Sequence, residues 1–289
     1  MDFTDKRVLV VGTGVSGVAA IRLLAAKGAK PVVLEGNEKA DREQIRAKIP
    51  ESITYDLIIG NLPEEVMDTL DLAVLSPGVP TDLPFVIKLQ DKKIPVWGEI
   101  ELAYVCGKGR LAAITGTNGK TTTTALTGAI MREYYDSVFV VGNIGLPYTE
   151  YALEMKDSSV TVAEVSSFQL ETIHSFRPEV SAILNITPDH LNRHHTMDCY
   201  IKTKEAITTN QTKDEVCVLN YEDEVLRAFG ESAPVHVVWF SSARKLAEGF
   251  YLDGEEIFYA HDGNTEKVIN VNDLNLLGRH NYENVMAAT

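Results

Sequence analysis

The sequence predicts an α/β protein made of two parallel-sheet domains, and three observations support this fold class. Short apolar runs rich in valine, isoleucine and leucine recur along the 289 residues, as expected of strands buried on both faces of a parallel sheet. Segments with helical periodicity separate these runs. Glycine-rich turns at residues 12–17 and 116–121 each connect a strand-like run to a helical segment. We therefore expect a Rossmann-like domain at residues 1–98 and a P-loop-type α/β domain at residues 99–289.

The first domain is predicted as alternating strands and helices. An apolar segment from residue 16 to residue 27 follows the first glycine-rich turn, and Gly28 supplies the glycine that commonly ends a helix. A helix at residues 99–104 then leads to a glycine-containing linker at residues 107–109. The predicted strands of this domain are residues 7–12, 31–35, 56–60 and 72–76.

The second domain is predicted to be a larger α/β unit that ends in a hairpin and a helix. Asp253 and Gly254 form a dipeptide that favours a tight turn, so residues 250–259 are predicted as a β-hairpin. Residues 282–289 have a helical pattern without a stop signal, and we expect the chain to be cut there. The predicted strands are residues 111–115, 138–141, 160–165, 180–185, 216–219 and 235–239.

The composition argues against several classes of function. With a formal net charge of -14, the chain is not expected to present the broad basic face that nucleic-acid binding requires. The three cysteines lack C-x-x-C spacing, which predicts neither a disulfide framework nor a zinc site and favours a cytoplasmic location. No export leader and no apolar run long enough to span a bilayer are present, so we expect no membrane association.

The turn at residues 116–121 is predicted to bind phosphate. It differs from the general pattern G-x-x-x-x-G-K-[ST], because Ile114 stands where that pattern has its first glycine. Backbone N–H groups at the start of the following helix would converge on phosphate oxygens. Lys120 would neutralise these oxygens, and the hydroxyl of Thr121 would face a magnesium ion. The alternative is an ordinary strand-to-helix turn with a solvated lysine.

The turn at residues 12–17 fits G-x-G-x-x-G, and Glu35 ends the next predicted strand at about the spacing of a ribose-binding acid. By itself this pattern suggests NAD. The same geometry accepts other diphosphates, including those of UDP-sugars, and a glycine-rich turn required only for packing is a further alternative.

Several polar side chains are predicted at the carboxyl ends of strands, where ligands of parallel sheets bind. Glu164 could hold magnesium, and Asp189 with His190 follows another strand in the same way. Tyr200 and Lys204 lie one turn apart on a predicted helix, and the residues alone predict a solvated lysine. The remaining histidines are predicted to be hydrogen-bonded surface or core residues, namely His174, His194, His195, His236 and His261.

Taken together, these stretches resemble the Mur ligase family over essentially the whole chain. The shortened phosphate loop is the form typical of that family. The matching motifs, in family order, are G-x-G-x-x-G at 12–17, S-P-G at 76–78, G-T-N-G-K-T-T at 116–122, G-N-I-G at 142–145, E-V-S-S-F-Q-L at 164–170, N-I-T-P-D-H at 185–190, Y-x-x-x-K at 200–204 and G-R-H-N-Y-E-N at 278–284.

The resemblance implies a ligase that uses ATP to join D-glutamate to UDP-N-acetylmuramoyl-L-alanine through an acyl phosphate, as a monomer. Within the family, the enzyme that adds L-alanine typically has histidine where this chain has Asn118, and the enzymes of later steps typically have a different N-terminal domain. Because the family has a third domain that closes over ATP, we expect that residues 1–289 bind the UDP substrate and ligate poorly.

The resemblance also implies roles for individual residues. The catalytic residues would be Lys120, Glu164, His190 and Lys204. Two Mg²⁺ ions are implied, one held by Thr121 and Glu164 and the other by His190 and by Lys204 as a carbamate. The implied ATP contacts are Gly116, Thr117, Asn118, Gly119, Lys120, Thr121, Thr122, His280, Asn281 and Asn284. The implied UDP-substrate contacts are Gly12, Thr13, Gly14, Ser16, Gly17, Glu35, Ser76, Gly78, Asn143, Ser166 and Gln169.

Two other readings of the sequence stay open at this point. An NAD-dependent oxidoreductase built on residues 12–17 would use the second domain as a nucleotide-regulated module, but it leaves Glu164, His190 and Lys204 without a role. A non-catalytic UDP-sugar-binding protein would keep both loops, yet it has no physical need for Glu164 and Lys204 together.

Overall fold

The computed structural model describes residues 1–143 and 145–289 and contains strands and helices that alternate along the chain. Up to residue 108 the elements are β1 (Arg7–Val11), α1 (Val15–Ala26), β2 (Lys30–Glu35), α2 (Arg42–Arg46), β3 (Asp56–Ile59), α3 (Glu64–Met67), β4 (Leu72–Leu75), α4 (Pro84–Asp91), β5 (Val96–Gly98) and α5 (Glu99–Cys106).

From residue 109 onward the elements are β6 (Arg110–Thr115), α6 (Lys120–Arg132), β7 (Val138–Gly142), α7 (Tyr148–Tyr151), β8 (Val160–Glu164), α8 (Ser167–Leu170), β9 (Val180–Ile183), α9 (Leu191–His194), α10 (Met197–Glu205), β10 (Val216–Asn220), α11 (Glu224–Gly230), β11 (His236–Ser241), β12 (Gly249–Asp253), β13 (Glu256–His261), β14 (Asn264–Asn270) and α12 (Arg279–Ala288). Short 3₁₀ helices lie at Ala206–Thr208 and Val271–Asp273.

The chain divides into two compact units that interleave along the sequence. Unit 1 contains Met1–Lys108, Gly145–Lys156 and Phe168–Phe176. Unit 2 contains the described part of Gly109–Ile144 together with Asp157–Ser167 and Arg177–Thr289. The division predicted at residue 98 follows the order of the sequence, and as a domain boundary it stays a prediction.

Unit 1 is built on a five-stranded parallel sheet with the order β3-β2-β1-β4-β5. Side chains of β1 alternate between two cores, with Val8 and Val10 in one and Leu9 and Val11 in the other. This period of two buries both faces of the strand, so an unbroken apolar run is stable there. The helix α1 ends at Ala26, and Gly28 two residues later has a φ of 81°, in the left-handed region that glycine adopts without a steric cost.

Unit 2 is built on a nine-stranded sheet with the order β14-β13-β12-β11-β10-β9-β6-β8-β7. The strands from β7 to β12 pair in parallel, and β13 and β14 extend the sheet in antiparallel pairing. Because parallel strands carry their carboxyl ends to one edge, the ends of β6, β7, β8 and β9 meet there. The predicted phosphate loop and Glu164 both lie at this edge.

The predicted fold class is confirmed, with differences confined to weakly patterned segments. The hairpin turns as predicted, since Asp253 pairs with Glu256 and Gly254 has a φ of 61°. The strands β5 and β14 were not predicted. The first has only three residues, and the second is mostly exposed and lacks an apolar alternation. Among the described residues, no helix has the length and apolar character needed to cross a membrane.

Candidate active site

The loop between β6 and α6 has a backbone that requires glycine at two positions. Gly116 and Gly119 have φ values of 148° and 85°, which side-chain-bearing residues rarely adopt. A Cβ atom on Gly119 would also lie 2.3 Å from Oδ1 of Asn284. The loop therefore packs directly against α12, and Asn284 is held beside it.

Asn185, two residues after β9, holds the loop through hydrogen bonds of its main chain and its side chain. The N–H of Thr117 donates to the carbonyl of Asn185 at 2.9 Å, and the N–H of Asn118 donates to Oδ1 of Asn185 at 2.8 Å. Nδ2 of Asn185 donates back to the carbonyl of Asn118 at 3.1 Å. These bonds order the loop before any ligand binds, which lowers the entropic cost of binding.

Two lysines converge on one carbonyl of the loop. Nζ of Lys120 donates to the carbonyls of Gly116 and Thr117 at 2.9 and 2.8 Å. Nζ of Lys204 donates to the same Gly116 carbonyl at 2.8 Å, although Lys204 is only 2% exposed. The solvated lysine that the residues alone predicted at position 204 is therefore wrong, because α10 directs this side chain into the site.

Burial lowers the pKa of both lysines. Burial, followed by the positive charge of Lys120, lowers the pKa of Lys204 to about 7, and the carboxylate of Asp189 opposes this. Burial also lowers the pKa of Lys120, against the carboxylates of Glu164 and Asp189. A site with two partly desolvated cationic groups favours a polyanionic ligand, which would restore the charged form of both.

The carboxylate of Glu164 forms the second feature of this edge. It is 2% exposed and accepts hydrogen bonds from Oγ1 of Thr121 and Nδ2 of Asn143, each at 2.9 Å. The main chains of Gly142 and Glu164 also lie close together, and this requires glycine at position 142, since a Cβ atom there would lie 2.2 Å from the carbonyl of Glu164. Carboxylate and hydroxyl oxygens are the ligands that Mg²⁺ prefers, so Thr121 and Glu164 fit one such ion.

Asp189 and His190 lie in the loop before α9. His190 has a φ of 51°, and its Nε2 is 3.4 Å from Oδ2 of Asp189, with about half of each side chain exposed. Nowhere in residues 1–143 and 145–289 do three or more His, Cys, Asp or Glu side chains form a group positioned to hold a metal. A second metal site at His190 would therefore need ligands of another kind.

The predicted nucleotide residues of α12 differ in their surroundings. Asn284 is buried, accepts from Oγ1 of Thr123 at 3.3 Å and donates to Oδ1 of Asn281 at 3.3 Å. Asn281 donates to the carbonyl of Leu277 at 2.8 Å, and His280 is exposed. The structure thus places Asn284 at the loop of residues 116–119, with Asn281 adjoining it.

The first glycine-rich loop, in unit 1, uses its glycines for different purposes. A Cβ atom on Gly17 would lie 2.0 Å from the carbonyl of Gly12, and one on Gly12 would lie 2.9 Å from Oγ of Ser76. These two glycines are needed for packing. A Cβ atom on Gly14 would have no neighbour within 4 Å, so its exposed backbone is open to a ligand.

Polar groups surround this first loop at the carboxyl edge of the sheet. Oγ1 of Thr13 donates to Oε2 of Glu35 at 2.5 Å, and Nζ of Lys48 donates to the carbonyl of Thr13 at 3.3 Å. Oγ of Ser76 is buried without a hydrogen-bond partner among the described residues. Such an unsatisfied hydroxyl is rare in proteins and suits a site completed by a ligand.

The remaining predicted site residues are distributed between the two units. Gln169 is a buried residue of unit 1, Gly78 is an exposed residue of unit 1, and Ser166 is a half-buried residue of unit 2. Ser16 lies in the first turn of α1, and Thr122 lies in the first turn of α6. Ile144, which belongs to the motif at residues 142–145, lies outside the described residues.

Comparison with known protein families shows to which family this chain belongs. A model of the Mur ligase middle domain matches residues 114–289, more than half of the chain, and a model of the Mur ligase MurD-like N-terminal domain matches residues 6–98. The chain belongs to the Mur ligase family. The resemblance inferred from the sequence is thereby confirmed.

Individual relatives of this Mur ligase chain are longer than the chain itself. It is 56% identical over 288 residues to a UDP-N-acetylmuramoylalanine--D-glutamate ligase of Lachnoclostridium phytofermentans, covering 100% of this chain and 63% of that protein. A protein with the same name from Lachnospira eligens is also 56% identical, with 64% of its length covered. The chain thus spans slightly under two thirds of these relatives.

Solved structures of Mur ligases show the same fold at low identity. One is a UDP-N-acetylmuramate:L-alanyl-gamma-D-glutamyl-meso-diaminopimelate ligase from Neisseria meningitides, with a TM-score of 0.61, 17% identity and coverage of 99% of this chain and 92% of that chain. Another is a UDP-N-acetylmuramate-alanine ligase from Thermotoga maritima, with a TM-score of 0.52, 22% identity and coverage of 98% and 63%.

His194 is a hydrogen-bonded core residue, as predicted, but its place beside the site was not predicted. His194 is buried beside Tyr200, and its Nε2 lies 2.9 Å from Oγ of Ser167. A lone histidine gives no sequence signal for such a position. Its location four residues after His190, on the short helix that follows the predicted site loop, is the only pattern that could have drawn attention to it.

Proposed function

We propose that this chain forms the substrate-binding and nucleotide-binding part of an ATP-dependent ligase that joins D-glutamate to UDP-N-acetylmuramoyl-L-alanine. The observation that carries the proposal is the convergence of Lys120 and Lys204 on the Gly116 carbonyl, close to the Thr121–Glu164 pair. The choice of substrates is supported by the names of the 56% identical relatives. A cytoplasmic monomer stays a prediction.

The chemistry explains why such a site is needed. A carboxylate is a poor electrophile, so its oxygen first attacks the γ-phosphorus of ATP, giving an acyl phosphate and ADP. The amine of D-glutamate then attacks the acyl carbon, phosphate leaves, and the nitrogen loses a proton to give the amide. Both reactants of the first step are anions, and cationic groups must screen their repulsion.

The residues of unit 2 would supply this screening. The N–H groups at the start of α6 and the ammonium of Lys120 would hold the phosphates of ATP. Asn284 and Asn281, with His280 nearby, would contact the nucleotide. This assignment is supported by the contact of Asn284 with the loop, where its Oδ1 occupies the space beside Gly119.

Magnesium fits the oxygen donors of this site. Thr121 and Glu164 would hold one ion, which supplies positive charge at the phosphate oxygens when bound. His190 and Lys204 would hold a second ion if the amine of Lys204 adds to CO₂ and loses a proton, because the resulting carbamate is an anionic oxygen ligand. A pKa of about 7 supports this step, since a large fraction of Lys204 is then the neutral, nucleophilic amine.

Unit 1 would bind the UDP part of the substrate. The open backbone at Gly14 and the first turn of α1 are suited to a diphosphate, and the unsatisfied hydroxyl of Ser76 is suited to a further hydrogen bond. Thr13, Ser16, Gly78 and Glu35 would complete this site. Asn143, Ser166 and Gln169 are proposed to contact the sugar and its substituent.

Ligand-dependent unfolding tests the proposal. A ligand that binds only the folded state raises the unfolding temperature, so the chain is heated with UDP-N-acetylmuramoyl-L-alanine, with MgADP, with NAD and without ligand. We expect the UDP compound and MgADP each to raise the temperature. A rise with NAD and none with the UDP compound would contradict the proposal and favour an oxidoreductase.

A further inference from the structure

A buried histidine connects two parts of the unit 2 site. His194, at the end of α9, is 2% exposed, and its Nε2 lies 2.9 Å from Oγ of Ser167, itself 3% exposed. Ser167 follows closely after Glu164 at the end of β8. This hydrogen bond therefore ties the loop that carries Asp189 and His190 to the strand that carries Glu164.

The imidazole of His194 also supports the phosphate loop through a tyrosine. Its ring packs on that of Tyr200 with a centroid separation of 5.1 Å, and Tyr200 is 1% exposed. The hydroxyl of Tyr200 lies 3.2 Å from Oγ1 of Thr117, and the ammonium of Lys204 lies 4.8 Å from the centre of the same ring. A continuous chain of contacts thus runs from the buried residues Ser167, His194 and Tyr200 to Thr117.

The backbone around α9 shows why an anchor is needed there. His190 and His195, on either side of this short helix, have φ values of 51° and 64°. Residues with side chains rarely adopt this region, and they do so only when the surrounding structure holds them. The buried side chain of His194 supplies such a constraint inside the turn.

We propose that His194 is a positioning residue for the nucleotide site: its hydrogen bond to Ser167 and its packing on Tyr200 hold the phosphate loop at Thr117 in its binding conformation. The inference rests on the proposed nucleotide-binding function. His194 is buried, so its effect on the nucleotide would be transmitted through Tyr200 and through the turn that begins at His190.

The test separates the hydrogen bond from the packing of the ring. The affinity for MgADP is measured by calorimetry, well below the unfolding temperature, for the wild type and for His194→Phe, His194→Gln and Ser167→Ala. We expect His194→Phe, which keeps a ring without the hydrogen bond, to weaken MgADP binding about five- to twentyfold. His194→Gln, whose amide nitrogen replaces Nε2 but which lacks the ring that packs on Tyr200, should recover part of the affinity.

A double-mutant cycle adds a second readout. Because both single changes break the same bond, the combination of His194→Phe and Ser167→Ala should weaken MgADP binding no more than either change alone. The affinity of each variant for UDP alone, whose proposed loop lies in unit 1, serves as the internal control and should stay unchanged. If His194→Phe fails to fold, Ser167→Ala and His194→Gln carry the same comparison.

The outcomes distinguish this inference from the function on which it rests. A wild-type chain that binds no MgADP would overturn the proposed function and the inference together. Wild-type binding with an unchanged affinity in His194→Phe and Ser167→Ala, even at a reduced unfolding temperature, would leave the function standing and reduce His194 to an ordinary core residue. A loss in His194→Phe that Ser167→Ala does not reproduce would likewise overturn it, because the proposed effect depends on the hydrogen bond that these two residues share.

Discussion

The two glycine-rich loops differ in how they would form the proposed phosphate sites. The loop of unit 1 contains no lysine. Its first and last glycines, Gly12 and Gly17, pack closely against each other. The loop of unit 2 contains Lys120 and receives Lys204 from a distant helix, so that two ammonium groups share one carbonyl. The loop of unit 1 therefore offers exposed backbone and open space at Gly14, and the loop of unit 2 offers the amino groups of two lysines.

Because of this difference, we expect the two loops to respond differently to added side-chain volume, to changes of charge and to pH. A site made by close backbone packing depends on atomic volume and responds weakly to pH, because backbone N–H groups do not titrate. A site made by desolvated cations depends on protonation, because burial alters the pKa of each cation. Substitutions that add a methyl group should therefore damage unit 1, and changes of charge or pH should act on unit 2.

The largest effect is expected at Gly17. A methyl group there would lie 2.0 Å from the carbonyl of Gly12, so Gly17→Ala must displace α1 from β1. We expect a loss of about 3 kcal/mol in the free energy of unfolding of unit 1, at the upper end of the usual cost of overpacking. Urea denaturation followed by circular dichroism measures it.

Gly14→Ala is the matched control for this prediction. Its methyl group meets no atom within 4 Å, and its φ of -76° is open to alanine. The stability should change by less than about 1 kcal/mol, the cost of replacing glycine at a helix start. The affinity for the UDP compound should fall, however, because the ligand approaches this backbone. Equal stability losses in both variants would contradict the separation of packing and binding roles.

Replacing Lys120 should have the largest effect on the second loop. Lys120→Met removes the ammonium that faces the loop carbonyls, and we expect MgADP binding to weaken at least about thirtyfold. The same change removes the charge that lowers the pKa of Lys204, so that pKa should rise. Calorimetry measures the affinity. A comparable loss of affinity for the UDP compound would show that the two loops do not act separately.

The sequence predicted these loops better than it predicted what surrounds them. Apolar runs buried on both faces of a sheet, as at Val8 and Leu9, leave a pattern that does not depend on distant residues. The glycines at positions 116 and 119 reflect a local backbone requirement, so the turn itself could also be predicted.

Features that depend on tertiary contacts could not be predicted in this way. Lys204 has the sequence of a solvated helix residue, and its burial depends on tertiary contacts such as the hydrogen bond to the Gly116 carbonyl. The strand β14 is polar and exposed, and it is defined by its pairing with β13 and not by its own pattern. His194 is likewise defined by Ser167 and Tyr200, which lie 27 and 6 residues away along the chain.

The stability of the protein should depend on the protonation of Lys204. The folded state lowers the pKa of this lysine from 10.5 to about 7, so between these values the unfolded chain holds a proton that the folded chain lacks. Stability then rises with pH across this window, by at most about 1.4 kcal/mol per pH unit from this group, and the full destabilisation is present below about pH 7.

Urea denaturation at several pH values between about 7 and 9.5 measures this contribution. Lys204→Met should flatten the rise relative to the wild type. Lys202→Met, which removes an exposed lysine of the same helix, is the control and should leave the slope unchanged. If the wild type and Lys204→Met have equal slopes, Lys204 titrates in the folded protein as it does in water.

The smallest effect is expected at Lys48, the cationic side chain that contacts the first loop. Its ammonium donates to the carbonyl of Thr13 at 3.3 Å, but the side chain is exposed, so water and salt screen its charge. We expect Lys48→Met to weaken binding of the UDP compound by less than about fivefold, an amount typical of an exposed charge. Lys30→Met, at the opposite end of β2, is the matched control. A loss as large as that of Lys120→Met would mean that both loops rely on charge, because an exposed lysine gains such strength only when the bound ligand excludes water from it.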